Sequence, residues 1–346
     1  MRRKIRISEV RELEGRAEAV NIDELRKDIH ESPEYEGLPL RVLRNNSVVM
    51  FDVFVKAVDG FKRVAQKSST VTSSLIENLI NSKQEMIYTP SEQKEAVLGY
   101  VESNLNEIIY DREISQDQKS EVIYTTATDI AEELFSNPIN TEAIQRTRGI
   151  IKPMLDSILS DNTTIDSLIA VSSYDYYTYT HSVDVSIYAL GLGRELGLLP
   201  STLNLLGEAG ILHDVGKSQI DINIVNKPGR LGAEEFEQMK QHPGFSYQVL
   251  MQHGVKNPAI ISGVRDHHEK LNGKGYPRGL KDGEISKFAR IIAIADIFNA
   301  LTTRRSYKPA LTTFEALKIM KHDMAGELDE EMLKRFIYMM SGKHNS

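Results

Sequence analysis

The run Phe288–Leu301 reads Phe-Ala-Arg-Ile-Ile-Ala-Ile-Ala-Asp-Ile-Phe-Asn-Ala-Leu, and its aspartate, Asp296, is the residue that most narrows what this chain can become. The pattern predicts a helix that is apolar on most sides, and such a helix belongs inside a protein. A carboxylate there is costly to bury unless it is paired or coordinates a metal. Asp214 raises the same demand, because it comes after the apolar stretch Leu203–Leu212.

The histidines suggest what could meet that demand. Six of the nine lie between residues 181 and 268. His181 opens a helical stretch with Val185, Tyr188 and Leu192 near one face. His213 directly precedes Asp214, and Val215-Gly216-Lys217 comes next. His242 stands before Pro243, a residue suited to the first position of a helix. His267 and His268 end a helix that begins near Pro258 and lead into Glu-Lys-Leu-Asn-Gly-Lys-Gly-Tyr276-Pro277. Taken singly, each piece has a plain reading: a local His–Asp hydrogen bond, a helix cap, solvated histidines at a helix end, a surface lysine. Taken together, imidazoles and buried carboxylates fit a divalent transition-metal site of nitrogen and oxygen ligands. A carboxylate can bridge two ions, and two ions about 3.5–4 Å apart suit phosphoester hydrolysis.

Composition limits the alternatives. With no cysteine there is no disulfide, no thiolate nucleophile and no Cys-ligated zinc or iron–sulfur cluster. A net charge of −7 argues against nucleic acid as the partner. No apolar run approaches the roughly 18–20 residues of a membrane span. The basic start Met1-Arg2-Arg3-Lys4 does not lead into the apolar segment of a secretory signal, so the expectation is a cytoplasmic protein.

At 346 residues the chain has room for two domains. The first ~35 residues are charged and read as a short helix or an arm. Leu38–Leu43 and Ser47–Val55, β-branched and aromatic, predict strands; 71–82 predicts a helix and 85–90 another strand. Ser91 is the expected N-cap of the next helix. The expected class is α+β: a small amino-terminal α/β domain over 1–95, regulatory or sensory by its position, a helical linker over 96–162 that could act as a dimer stalk, and an all-α domain over 163–346.

The order His181 … His213-Asp214-x-Gly-Lys217 … His242-Pro … His267-His268-Glu-x-x-Asn-Gly-x-Gly-Tyr276-Pro277 … Asp296 resembles the HD-GYP family of cyclic-dinucleotide phosphodiesterases. Lys227-Pro-Gly-Arg-Leu231 and Ala300-Leu-Thr-Thr-Arg-Arg-Ser-Tyr-Lys308 extend the likeness, which covers roughly half the chain. The HD pair belongs to a wide superfamily, whereas the HHE…GYP element is specific to this one. The resemblance implies an all-helical HD domain that hydrolyses cyclic di-GMP to pGpG and onward to GMP. It implies two divalent ions, iron in the first place and manganese as the alternative. One would take His181, His213, Asp214 and Asp296; the other would take His242, His267 and His268, with Asp214 bridging. A hydroxide between the ions would attack phosphorus in line, and Lys217 would neutralise charge on the phosphoryl or leaving oxygen. Tyr276, Arg305 and Lys308 would meet substrate, Arg305 through a planar fork suited to phosphate or guanine. The GYP loop is also the expected contact for a GGDEF or other signalling protein. Hybrid cyclic GMP–AMP is an alternative substrate, and a scaffold without turnover an alternative role.

Three positions depart from the family pattern. Tyr177 stands where some members carry a glutamate for a third metal, so two metals are expected. Ser246 replaces a frequent glycine and is expected to shift its helix slightly. Asn272 replaces a frequent aspartate. Gly273 and Gly275 are both expected to allow the loop to turn through positive φ.

Overall fold

The computed structural model describes residues 34–137, 141–161, 163–172, 177–304 and 309–342. The chain divides into two compact units, Met1–Val97 and Leu98–Ser346.

The described part of the first unit is a small antiparallel construction. Strands β1 (Tyr35–Pro39), β2 (Val48–Val49), β3 (Val53–Ala57), β4 (Gly60–Ala65) and β5 (Ser69–Thr70) precede helix α1 (Ser73–Asn81), and strand β6 (Met86–Pro90) comes after it. The main sheet runs β1-β6-β3-β4, while β2 and β5 pair separately. Alternation drives burial: Val53 and Val55 point into the core and Phe54 lies on the other face. Two expectations shift by a few residues. Leu40–Val42 is a 3-10 turn after β1: Leu40, Val42 and Leu43 are all buried, whereas an extended strand would have sent Leu43 to the face opposite Leu40 and Val42. Ser91 opens a 3-10 turn instead of capping a helix, and its hydroxyl donates to the Glu34 carbonyl at 3.0 Å.

Next come α2 (Lys94–Tyr110), α3 (Gln116–Ser136), α4 (Thr141–Ser160) and α5 (Thr164–Val171). Ser115 and Gln118 form a capping box at the start of α3. This stretch, expected as a linker, is helical, and from Leu98 it lies within the same unit as the residues after it. Its apolar faces account for that. Ile123, Ala127 and Leu134 of α3 and Ile151, Met154 and Ile158 of α4 are all fully buried. Gln116 donates to Thr164 Oγ1 at 2.6 Å, and Arg148 of α4 pairs with the buried Glu208 at 2.6 Å.

The remaining helices are α6 (Thr178–Glu195), α7 (Pro200–Leu212), α8 (Ile222–Val225), α9 (Ala233–Met239), α10 (His242–Gln252), α11 (Pro258–Asp266), α12 (Lys287–Thr302), α13 (Thr313–His322) and α14 (Glu330–Met340). Helices α6 and α12 are central: every residue from Thr180 to Gly193 is buried, as are ten residues of α12. They pack on each other, and Phe298 of α12 sits edge-on to Tyr188 of α6 at 5.1 Å and to Phe336 of α14 at 5.1 Å. Among the described residues, no helix is long and apolar enough to cross a membrane.

Candidate metal centre

The polar residues buried in this helical core converge on one point. His181 comes from the first turn of α6, His213 and Asp214 from the end of α7, and His242 from the first turn of α10. His267 and His268 come from the end of α11, and Asp296 from the middle of α12. Six of these side chains are buried; His268 is 23% exposed. They form two sets whose candidate ligand atoms lie within 4.8 Å of one another: Asp214, His242, His267 and His268, and His181, His213 and Asp296.

Asp214 stands between the sets. Its Oδ1 faces His242 Nε2 at 3.1 Å and His267 Nε2 at 4.0 Å, and its Oδ2 faces His213 Nε2 at 3.3 Å and His181 Nε2 at 3.4 Å. Asp296 Oδ1 lies 3.1 Å from His181 Nε2, and its Oδ2 lies 3.7 Å from His268 Nδ1. Lys217, in the 3-10 turn Val215–Gln219, reaches Asp214 Oδ2.

Hydrogen bonding sets the state of the imidazoles. The Nδ1 atoms of His213, His242 and His267 each lie 2.7 Å from a backbone carbonyl three residues earlier, of Gly210, Met239 and Val264. A carbonyl only accepts, so Nδ1 carries the proton and the neutral ring turns the Nε2 lone pair inward. His242 Nε2 and His267 Nε2 then face each other at 3.5 Å with no proton to share. His213 Nε2 and Asp214 Oδ1 are likewise buried without a hydrogen bond. Converging lone pairs and carboxylate oxygens repel, and a cation among them relieves the repulsion. The donor set therefore fits a divalent ion with nitrogen and oxygen ligands.

Charge states agree with that fit. Burial alone would raise the Asp214 and Asp296 carboxyls, yet both stay well below the usual carboxylate range, Asp214 with the Lys217 cation beside it. Burial pushes His267 well down and His268 to about 3, helped by like-charged neighbours, so both rings are neutral near neutral pH.

A cavity of about 800 Å³ opens beside the cluster, with Lys217, His268, Tyr276, Asp296 and Arg304 among the residues lining it. The ring of Tyr276 lies 4.6 Å from that of His268, and its hydroxyl pKa is raised, chiefly by burial. Arg305 and Lys308 lie outside the described residues. Tyr177, 56% exposed, also lines the cavity and brings no carboxylate to it.

The loop after the histidine pair is shaped differently from the sequence expectation. Gly273 does take a positive φ of 76°. Gly275 does not, and close approach is what requires glycine there: a Cβ would meet Lys270 N at 2.4 Å and His268 O at 2.6 Å. Sequence reasoning passes over the residue that ties the loop down. Buried Glu269 accepts from the backbone N–H groups of Arg278 at 2.6 Å and Leu280 at 2.9 Å. Ser246, expected to shift its helix slightly, ties that helix to the His213–Gly216 segment: its hydroxyl accepts from Gly216 N at 2.8 Å and donates to the His213 carbonyl at 2.9 Å. Asn299 and Asp184 also escape a reading of the sequence. His181 Nδ1 donates to Asn299 Oδ1 at 2.7 Å, and Asn299 Nδ2 donates to Asp184 Oδ2 at 3.0 Å. Burial raises the Asp184 carboxyl to about 7 despite hydrogen bonds from Tyr124 and Asn299. The only sequence signal for these two is a polar residue at an otherwise apolar helical position.

A helical core that gathers a His-Asp pair with further histidines and an aspartate defines an HD-type domain, and comparison with known proteins agrees. The HD-domain family model matches residues 161–332. That segment is an HD domain, and its HHE…GYP loop assigns the domain to the HD-GYP group. It is 34% identical over 181 residues to a cyclic di-GMP phosphodiesterase of Pseudomonas aeruginosa, covering 52% of this chain and 44% of that protein. It is 32% identical over 215 residues to a 3'3'-cGAMP-specific phosphodiesterase of Vibrio cholerae, covering 59% of this chain and 46% of the other. The chain thus spans less than half the length of these relatives. Among solved structures, Bd1817, an HDG"Y"P protein from Bdellovibrio bacteriovorus, has the same fold, with a TM-score of 0.63 at 21% identity over 89% of this chain and 100% of that one.

Proposed function

We propose that this chain is a metal-dependent cyclic-dinucleotide phosphodiesterase that hydrolyses cyclic di-GMP to pGpG and onward to GMP. The observation that carries this reading is the pair of ligand sets on either side of Asp214, beside an 800 Å³ cavity. His181, His213, Asp214 and Asp296 would hold one divalent ion, and His242, His267 and His268 the other, with Asp214 shared between them. Two such ions, iron or manganese, acidify water and neutralise phosphoryl charge when bound. Lys217 is a fixed cation at the cavity wall, placed to offset charge that develops on a phosphoryl or leaving oxygen. Tyr276 offers a ring face beside His268 for substrate, and Arg304, with Arg305 and Lys308 near it in sequence, supplies cationic contacts for phosphate or guanine. The amino-terminal unit is the regulatory part in this reading.

Elemental analysis of anaerobically purified protein, coupled to product identification from cyclic di-GMP, tests the proposal. Two ions per chain and formation of pGpG or GMP are expected; metal-free protein that stays inactive with added iron or manganese under reducing conditions would sink it. The near-equal identity to relatives named for cyclic di-GMP and for 3'3'-cGAMP favours assaying both substrates side by side. A pure scaffold would keep its cellular role in an Asp214→Ala variant, whereas an enzyme would lose it.

A further inference from the structure

The four imidazoles that turn Nε2 inward are not held alike. His213, His242 and His267 each donate Nδ1–H to a carbonyl of their own helix end. His181 donates to a side chain, Asn299 Oδ1, on another helix. An amide can present either its oxygen or its nitrogen, so something must decide which end Asn299 turns to His181. Asp184 decides it. In its carboxylate form, which the donors Tyr124 and Asn299 both favour, Asp184 only accepts, so its Oδ2 takes the Asn299 Nδ2–H at 3.0 Å and leaves Oδ1 for His181. The other carboxylate oxygen is occupied as well, because the Tyr124 hydroxyl donates to Asp184 Oδ1 at 3.0 Å. All four residues are buried.

We propose that Tyr124, Asp184 and Asn299 are positioning residues that fix the tautomer and ring orientation of His181. Helix α3, which supplies Tyr124, thereby belongs to the metal centre although it lies outside the matched HD domain at 161–332. The logic is directional: an acceptor-only group orients a two-faced amide, the amide oxygen accepts from Nδ1–H and so keeps the proton there, and the Nε2 lone pair is left for the ion. Outer partners of this kind typically change metal affinity by about 10–100-fold. The proposal rests on the reading of His181 as a metal ligand.

The test is Mn²⁺ titration of the full chain, with ¹⁵N chemical shifts of the His181 ring as a readout independent of activity. Asp184→Asn lets the Asn299 amide flip, so it should weaken one class of Mn²⁺ site about 10–100-fold, leave the class built on His242, His267 and His268 unchanged, and mix the His181 tautomers. Tyr124→Phe should have a smaller effect in the same direction at nearly unchanged melting temperature. The double variant D184N/N299D moves the acceptor-only group next to His181 and should restore both affinity and tautomer. Wild-type affinity and shifts in Asp184→Asn, or no rescue by the exchanged pair, would overturn the proposal. If Asp184→Asn fails to fold, Tyr124→Phe and the exchanged pair carry the same decision. Wild-type Mn²⁺ binding in His181→Ala would instead defeat the ligand reading on which the proposal rests.

Discussion

The two candidate ligand sets lie on either side of Asp214 but differ in how they are held and how far they are buried. In the set of His181, His213 and Asp296, buried throughout, His213 rests on the Gly210 carbonyl, but His181 is braced by side chains reaching from α12, α6 and α3. The set of His242, His267 and His268 hangs on backbone carbonyls at two helix ends, and His268 opens to the cavity next to the Gly273–Pro277 loop. The first is a rigid interior site. The second reaches the cavity rim through His268, beside the loop. Burial without exchange suits retention of an ion, and partial exposure suits contact with substrate.

Removing the shared residue erases the contrast. Asp214→Ala should lower kcat/KM on cyclic di-GMP by at least about 10³-fold and reduce metal content in both sets, since carboxylates that clamp paired ions act on the entire reaction; steady-state kinetics and elemental analysis check it. Chelation sharpens the contrast. EDTA should strip metal in two phases, and the fast phase should vanish in His268→Ala but persist in His181→Ala. A single phase would mean that the two sets behave as one.

A milder break targets the rim alone. In Glu269→Gln one of the two loop N–H groups faces an amide instead of a carboxylate oxygen, which should cost about 1–3 kcal/mol in urea unfolding. It should also raise KM, with Mn²⁺ affinity of the interior set unchanged. The smallest effect concerns the interior. Asp184 has a folded pKa of about 7 against an ordinary 3.8. The folded state therefore binds the extra proton between those values, and stability falls as pH rises from about 4 to about 7, with no further loss above. The slope should be a fraction of the roughly 1.4 kcal/mol per pH unit that one proton represents, and it should disappear in Asp184→Asn; denaturant titrations at several pH values measure it.

Legibility in the sequence tracks the range of the interaction involved. Helix α12 and its aspartate are readable because an apolar run with one carboxylate is a local statement about burial. The strand at Met86–Pro90 is local too, set by the composition of a short run. The latch made by Ser246 is not readable from sequence because its partners, Gly216 and His213, lie some thirty residues away in the chain. Gly275 is glycine for a reason other than the expected one, since φ can be guessed from residue type but a neighbouring backbone within 3 Å cannot. Tyr124 carries no signal at all: a tyrosine on an amphipathic helix reads as core, and only its hydroxyl on Asp184 shows otherwise.

The sequence by itself determined which residue types were available and which had to be buried: no thiolate, histidines concentrated in one stretch, and two aspartates on apolar helices that demand compensation. It also carried the order of motifs that resembles a family. Tertiary structure alone decided that the two oxygens of Asp214 face different sets, that Glu269 ties down the loop, and that a helix read as a linker reaches the metal centre through three hydrogen bonds. Those outcomes depend on distances of about 3 Å between residues from nine to more than a hundred positions apart, and a one-dimensional pattern holds no record of such distances.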